Sequence, residues 1–169
     1  INVGGTLNII AAIKAQPGGA ENIPLVYVGS VAQYGDRLPP HEWINVGDPL
    51  KPSVHDYYAL TKMEAETAVI ESGLKYWASM RQTFIAIPNT LSLLDPILFH
   101  QPLDQRIELI TSRDAGYGLV QTIDAPEEFW GNVYNMSGGP SCRVTFIDYM
   151  ERVFSMLGLG KVEQLFDRD

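Results

Sequence analysis

Apolar residues in the first half of the chain follow two patterns in turn, one with helical spacing and one typical of strands. Helical spacing over residues 2–15 predicts a first helix, which the triplet Pro17–Gly19 ends. The compact run Ile23–Ser30, rich in β-branched and aromatic residues, predicts a buried parallel strand. A second helix over residues 57–72 and a second strand over Tyr76–Ile87 follow. This order predicts an α/β fold with a parallel sheet and helices on its faces.

The apolar pattern is weaker in the second half of the chain. It predicts a short helix within residues 89–103, a short strand over Arg106–Ile110 and a helix over Arg113–Ala125 that two glycines weaken. A strand over Gly131–Ser137 and an amphipathic helix over Val144–Gly158 complete the prediction. No internal repeat interrupts this order.

Composition narrows the class of protein. The 169 residues are 46% hydrophobic, which suits one globular domain with a core. No stretch has the roughly 20 uninterrupted apolar residues of a membrane helix, and no signal peptide is visible. A net charge of −8 argues against a nucleic-acid partner. The single cysteine, Cys142, excludes an internal disulfide and favours a reducing compartment, so we expect a cytoplasmic protein.

Candidate chemistry lies in the stretch HDYYALTK, where Tyr58 stands four residues before Lys62. On a helix, residues at this spacing share a face, so the ammonium would lie against the phenol. A free phenol has a pKa of about 10 and exchanges protons poorly at neutral pH, but a nearby cation lowers the pKa of a phenol. The pair therefore predicts a general acid/base, although the same spacing also occurs by chance on ordinary amphipathic helices.

Ser30 adds a second hydroxyl to this candidate site. It stands at the carboxyl end of the first predicted strand, where doubly wound sheets bind their ligands. The loop over residues 31–56 that follows is long, and loops of this length are usually functional. A strand-end serine can also simply satisfy loop backbone groups, so Ser30 gains weight only together with Tyr58 and Lys62.

Several segments appear in a characteristic order, namely NVGGTLNIIAAI, LVYVGSVAQYGD, DPLKPSVHDYYALTKMEAE and SMRQTFIAIPN, with RDAGYGLV and VYNMSGG after them. Together they resemble the extended short-chain dehydrogenase/reductases, the NAD-dependent epimerase/dehydratase family. The resemblance implies the C-terminal part of a Rossmann-like doubly wound parallel sheet plus part of a small substrate-binding region. Residues 1–88 would be the second half of the dinucleotide-binding domain. Residues 89–169 would be mostly the substrate-binding region, with elements that return to the core.

The resemblance also implies roles for the candidate residues. Tyr58 and Lys62 match the Y-x-x-x-K pair of the family, and Ser30 matches the serine or threonine before it. In the family the tyrosine is the acid/base, the lysine binds the ribose of the nicotinamide cofactor, and the serine orients the substrate oxygen. These three residues are thus the predicted catalytic residues, and Tyr58 and Lys62 are predicted to bind NAD or NADP. Substrate contacts are predicted for Ser30, Tyr34 and Phe84.

The sequence departs from the family pattern at the glycine-rich loop. The family motif G-x-x-G-x-x-G follows the first strand and holds the pyrophosphate, and no glycine group here follows a predicted strand in that way. The chain also opens inside a predicted helix at Ile1, so we expect it to be part of a longer protein. We further expect that these 169 residues alone do not bind NAD(P) tightly.

The expected reaction is hydride transfer at a secondary alcohol or carbonyl carbon of a small molecule, with a nucleotide sugar among the candidate substrates. Phe84 lies near the position of a substrate-contacting asparagine in nucleotide-sugar epimerases, which weakens a sugar-nucleotide assignment. Val28 and Gly29 before the serine also reduce the polar lining. Two alternatives stay open: a non-catalytic NAD(P)-binding regulatory module of the same fold, and a reductase of a non-sugar carbonyl compound.

Other polar residues give weaker evidence of a functional role. His55 could be a second acid/base, but a loop histidine beside a helix start is more often solvated. Tyr34 and Tyr57 could touch the substrate or pack, and packing is the simpler interpretation. His41 and His100 have no ligand-like spacing, so no metal site is predicted.

The resemblance implies a homodimer as well. In the family the helix that carries Y-x-x-x-K packs, with the helix before it, against the same pair in a second subunit. The corresponding helices here span residues 2–15 and 57–72. Ala11, Ala12, Ala65 and Ala68 are small enough for close helix approach, so we expect these two helices to form a self-complementary contact. The alternative is that the same apolar faces pack on the sheet.

Overall fold

The computed structural model describes residues 1–35, 43–87 and 103–162. His41, His100 and almost all of the short helix predicted within residues 89–103 lie outside these described residues. Most of the predicted elements fall inside them, at bounds close to those expected from the sequence.

Helices and strands alternate through the first half of the chain and mix less regularly afterwards. The helices are α1 (Asn2–Ala15), α2 (Gly19–Asn22), α3 (Tyr57–Ile70), α4 (Ser112–Gln121) and α5 (Phe146–Leu157). The strands are β1 (Leu25–Ser30), β2 (Trp77–Gln82), β3 (Phe84–Ala86), β4 (Arg106–Thr111), β5 (Asn132–Met136) and β6 (Arg143–Thr145). A 3-10 turn over Val31–Tyr34 follows β1 directly.

The main sheet is parallel, with the strand order β1-β2-β5. Val28 pairs with Met80 and Met80 with Tyr134, while Ser30 pairs with Gln82 at the carboxyl ends. Parallel neighbours require crossover connections, and α3 supplies the one between β1 and β2. The predicted α/β class with a parallel sheet is confirmed.

Helices cover both faces of this sheet. On one face, α1 and α3 pack on β1 through a cluster of Ile10, Tyr27, Ala65 and Val69. On β2, Ser79 bonds to α3, whereas its neighbour Met80 packs with Ala115 of α4. Successive residues of a strand point to opposite faces, so α3 and α4 lie on opposite sides. This arrangement is doubly wound.

The strand predicted over Tyr76–Ile87 is in fact two strands, and the prediction of a single strand was wrong. β2 ends at Gln82, where the Thr83 N–H donates to Met136 O at 3.1 Å. β3 then leaves the main sheet and pairs in parallel with β4, which pairs antiparallel with β6. An unbroken apolar run indicates that residues are buried, but it does not indicate where a strand changes its pairing partner. The sequence pattern therefore did not predict this break.

The smaller sheet β3-β4-β6 has its own core. Phe146, Tyr149 and Met150 of α5 are buried against it, together with Ile107 and Leu109 of β4. α5 begins at Phe146 because Thr145 and Asp148 form a capping box. Within the described ranges, no helix is long and apolar enough to span a membrane.

Candidate functional site

An open cavity of about 1150 Å³ lies at the carboxyl ends of the main-sheet strands. Ser30 and Gln82, the last residues of β1 and β2, line it together with Asn135 near the end of β5. Residues of the smaller sheet form a further part of its wall, among them Phe84, Arg106 and Arg143. Ligands of doubly wound sheets bind at this edge, so the cavity is the first candidate for a binding site.

Ser30 is buried at the point where β1 turns into the 3-10 helix. Its Oγ accepts a hydrogen bond from the Ala32 N–H at 3.2 Å, which caps the turn. This bond uses a lone pair of the hydroxyl and leaves its proton free to donate. Ser30 therefore satisfies loop backbone, as the simpler interpretation held, and still presents a donor to the cavity.

Tyr58 stands in the first turn of α3 because Asp56 ends the preceding loop as an N-cap. The Asp56 carboxylate accepts from the Ala59 N–H at 2.9 Å. The Tyr58 side chain is 53% exposed and lines the cavity, as does Lys62 one helical turn later. The helical spacing predicted from the sequence therefore brings both residues to the same wall.

The Lys62 ammonium lies among aromatic and carbonyl groups. Its Nζ donates to Val28 O at 2.9 Å and lies 5.9 Å from the ring centroid of Tyr58 and 5.4 Å from that of Tyr27. Burial lowers the pKa of Lys62 from its ordinary value. The bond to Val28 engages one of three ammonium protons, so donors remain for a ligand.

Two tyrosines contact Lys62, and only one of them lines the cavity. The Tyr27 hydroxyl donates to the backbone oxygen of Lys62 at 3.1 Å, and burial, with a smaller effect of Glu66, raises the pKa of Tyr27 to about 12. Tyr27 is thus held neutral. Tyr58 is the tyrosine that a molecule in the cavity would meet.

Tyr34 lies behind the cavity wall. Its side chain is fully buried, and its hydroxyl bonds to Arg81 and Asn135. Tyr34 is not among the residues that line the cavity. The substrate contact expected of Tyr34 does not fit this position, because the surrounding side chains close it off, and the structure favours the packing interpretation.

Phe84 and His55 take different positions. Phe84 lines the cavity and packs edge to face on Tyr149, with the ring centroids 5.8 Å apart. His55 is exposed and is not among the lining residues. Tyr57, the neighbour of Tyr58, is largely exposed as well.

Sequence reasoning missed several residues that line the cavity, among them the amides Gln82 and Asn135 near the strand ends. The position of Asn135 near the end of a predicted strand was the available signal. Across the described part of the chain, His, Cys, Asp and Glu residues form no group of three that could hold a metal ion.

The fold is a doubly wound α/β fold with an open cavity at the carboxyl ends of its parallel strands. The sequence profile of the NAD dependent epimerase/dehydratase family matches residues 1–92, more than half of the chain. The chain belongs to this family. No curated protein matches it in sequence.

Solved structures show the same fold at low identity. The dTDP-glucose 4,6-dehydratase of Bacillus anthracis in complex with NAD superposes with a TM-score of 0.72 at 19% identity, covering 96% of this chain and 53% of its own. The UDP-glucuronic acid 4-epimerase of Bacillus cereus, in complex with UDP-glucuronic acid and NAD, superposes with a TM-score of 0.75 at 15% identity. This match covers 96% of this chain and 53% of the epimerase. RMD of Pseudomonas aeruginosa, in complex with NADPH, superposes with a TM-score of 0.75 at 18% identity, and the match covers 95% of this chain and 60% of RMD. The chain thus spans little more than half the length of these proteins.

Proposed function

We propose that the protein is an NAD(P)-dependent oxidoreductase or epimerase that acts at a secondary alcohol or carbonyl carbon of a small molecule. The observation that carries the proposal is the placement of Tyr58 and Lys62 on one face of α3, in the cavity where Ser30 ends β1. The family supports it, and so do the neighbours of similar fold, whose complexes contain NAD, NADPH or a UDP-sugar.

The residues present fit a nicotinamide cofactor, NAD or NADP. Lys62 has ammonium protons beyond its bond to Val28, and ribose hydroxyls are suitable acceptors for them. Tyr58 adds a hydroxyl at the same wall, and the cavity has room for a ring system. When bound, the cofactor supplies or accepts a hydride at the reacting carbon.

In this proposal the three predicted catalytic residues divide the work on the substrate oxygen. Tyr58 gives a proton to that oxygen or takes one from it, because its hydroxyl is the exposed one beside the ammonium. Lys62 stabilises the negative charge that develops on the phenol oxygen during this exchange. Ser30 donates its free proton to the substrate oxygen and orients it.

The proposal has two versions, which differ in the class of substrate. A nucleotide sugar is one candidate, as in several neighbours of the same fold. Phe84 favours a second candidate, a non-sugar carbonyl compound, because its ring places an apolar surface in the cavity wall. A regulatory module that binds NAD(P) without turnover is the alternative outside the enzyme class.

We also propose a cytoplasmic homodimer. Leu7 and Ile9 of α1 and Ile70 of α3 are exposed apolar residues, although the two helices already pack on the main sheet. Asn2 joins the helices through a 3.1 Å bond to Thr61, so they present one combined surface. A reducing compartment suits a sequence with a single cysteine.

Two measurements on the full-length protein test the proposed function. A fluorescence titration with NAD, NADP and their reduced forms shows whether a cofactor binds. A screen of each cofactor against panels of sugar nucleotides and simple carbonyl compounds then separates the two substrate classes. Binding without turnover of any compound supports the regulatory module, and absence of binding contradicts all three versions.

A further inference from the structure

A buried hydrogen-bond relay connects α3 to the cavity wall. It begins at Glu66, one helical turn after Lys62 and only 1% exposed. Arg81 of β2 donates to both carboxylate oxygens of Glu66, from Nε at 3.0 and 3.1 Å and from Nη2 at 2.6 Å. The Ser79 hydroxyl donates to the same carboxylate. A paired contact of this kind fixes the plane of the guanidinium.

The third guanidinium nitrogen of Arg81, Nη1, determines to which residue the Tyr34 hydroxyl donates its proton. Nη1 of Arg81 donates to the Tyr34 hydroxyl at 2.5 Å, and the hydroxyl donates to Oδ1 of Asn135 at 2.9 Å. A guanidinium has donors and no acceptor, so the tyrosine oxygen accepts from Arg81 and directs its single proton to Asn135. The side-chain oxygen of Asn135 is therefore turned towards the interior.

This bond sets the orientation of the planar Asn135 amide. Because Oδ1 accepts the bond from Tyr34, the other amide atom, Nδ2, points away from Tyr34 with its two protons. Asn135 lines the cavity together with Ser30 and Tyr58, and no acceptor for Nδ2 occurs among the residues that the structure describes. The amide thus presents donors to the cavity in which Tyr58 would act.

We propose that Asn135 binds the substrate by donating a hydrogen bond from Nδ2 to a hydroxyl or carbonyl oxygen, and that Tyr34 positions Asn135 for this. The proposal rests on the function proposed above and adds a substrate contact to the same site. Tyr34 is a positioning residue, since its fully buried side chain bonds to Asn135 and does not line the cavity. A ligand that covers Nδ2 without supplying an oxygen leaves a donor unpaired, which lowers affinity. Asn135 therefore selects for an oxygen at this point of the substrate.

Two variants test the contact, Asn135→Asp and the neutral Asn135→Ala. The first is the closer in shape. It keeps an oxygen to accept from Tyr34 but removes both Nδ2 donors. With UDP-glucuronic acid as the probe, in the presence of NAD, we expect calorimetry on the full-length variant to show affinity weaker by about tenfold or more. Asn135→Ala should weaken binding to a similar extent. Because Asp also adds a negative charge that repels the anionic probe, the neutral Ala variant decides: probe affinity in Asn135→Ala equal to that of the parent protein would overturn the proposal.

Tyr34→Phe tests the positioning role. It removes the bond that orients the amide, so probe affinity should fall, whereas Tyr57→Phe, the matched control, should leave it unchanged. In the Asn135→Ala background, Tyr34→Phe should weaken binding no further, because the oriented group is already gone. Independent, additive losses would overturn the positioning role. If thermal unfolding shows that Tyr34→Phe is misfolded, the Asn135 variants decide the matter.

A ligand-free measurement separates this inference from the proposed function. Side-chain amide NMR of the parent protein, with the Asn135 signals assigned by comparison with Asn135→Asp, reports how fast the Nδ2 protons exchange with water. We expect fast exchange, because the donors face an open cavity; protection would overturn the orientation. If neither UDP-glucuronic acid nor dTDP-glucose binds the parent protein, the nucleotide-sugar version of the proposed function fails, and amide exchange alone supports or overturns the inference.

Discussion

Lys62 shows how a single residue can combine two tasks in the candidate site. Its ammonium is held by the Val28 carbonyl and lies against the Tyr58 ring, while protons remain for a ligand. Burial lowers the pKa of Lys62, because partial removal from water destabilises the charged ammonium. The nearby carbonyl and aromatic rings partly offset this loss of hydration.

Removal of this ammonium should change both binding and proton transfer. In the full-length protein, Lys62→Ala is expected to weaken NAD(P) binding by roughly tenfold, since a charge-assisted hydrogen bond is lost. The pH-rate profile should move to higher pH, because the charge that stabilises the phenol oxygen is gone. Lys75→Ala, which removes an exposed lysine, is the matched control. An unmoved profile with intact cofactor affinity would make Lys62 an ordinary surface charge.

Local spacing was enough to find some site residues and not others. Ser30, Tyr58 and Lys62 follow from one strand end and one helical turn, and the structure brings all three to one cavity. Asn135 was missed although it also lies near a strand end, because the bond that orients its amide comes from Tyr34, in a distant part of the sequence. Tyr34 was expected at the substrate for the same reason, since no local pattern reveals its burial beside Arg81.

Helices and strands differ in how far the sequence determines them. The α1 helix has the predicted bounds, and α3 begins at the predicted residue and ends two residues early. Helix signals such as apolar spacing and a terminating glycine are local in the sequence. The break between β2 and β3 escaped prediction, since strand identity depends on partners far away in the chain. β6 escaped for the same reason and was taken as the start of the last helix.

The capping box of α5 gives this helix a measurable pH dependence. The Thr145 hydroxyl donates to Asp148 at 2.6 Å, and this bond, more than the backbone N–H of Thr145, lowers the pKa of Asp148. A carboxylate with a lowered folded-state pKa stabilises the fold above its unfolded-state pKa, and that contribution is lost as the pH falls through the folded-state pKa.

Asp148→Asn should therefore lower Tm at neutral pH, and the difference from the parent protein should shrink as the pH falls below about 4. Thermal unfolding monitored by circular dichroism across this range measures the effect. Glu151→Gln removes one charge from the same helix outside the cap and serves as the control. A Tm difference that stays constant with pH would contradict the role of the cap.

The whole molecule is expected to associate through α1 and α3. Because a two-fold interface is self-complementary, Leu7 would meet apolar residues of a second copy, and Leu7→Glu should shift the full-length protein towards monomers. Met156→Glu, which changes a still more exposed apolar residue on α5, should leave the oligomeric state unchanged. Light scattering that shows a strict monomer of the parent protein at high concentration would contradict the dimer.

For the molecule as a whole, the sequence predicted the class of fold. The order of helices and strands was enough for an α/β protein with a parallel sheet, because crossover connections leave few topologies. β5, at residues 132–136, returns to the main sheet beside β2, and the smaller sheet lies between them in the chain. The proposed division at residue 88 stays a prediction.

The acid/base role of Tyr58 is the central claim, and one substitution tests it most directly. Tyr58→Phe in the full-length protein removes the proton donor and keeps the ring. Turnover of a substrate found in the cofactor screen should fall by roughly 100-fold or more, with cofactor binding little changed. Tyr57→Phe, one residue earlier on the same helix, should have little effect. An undiminished turnover number in Tyr58→Phe would contradict the account and favour His55 as the acid/base or a protein without catalytic activity.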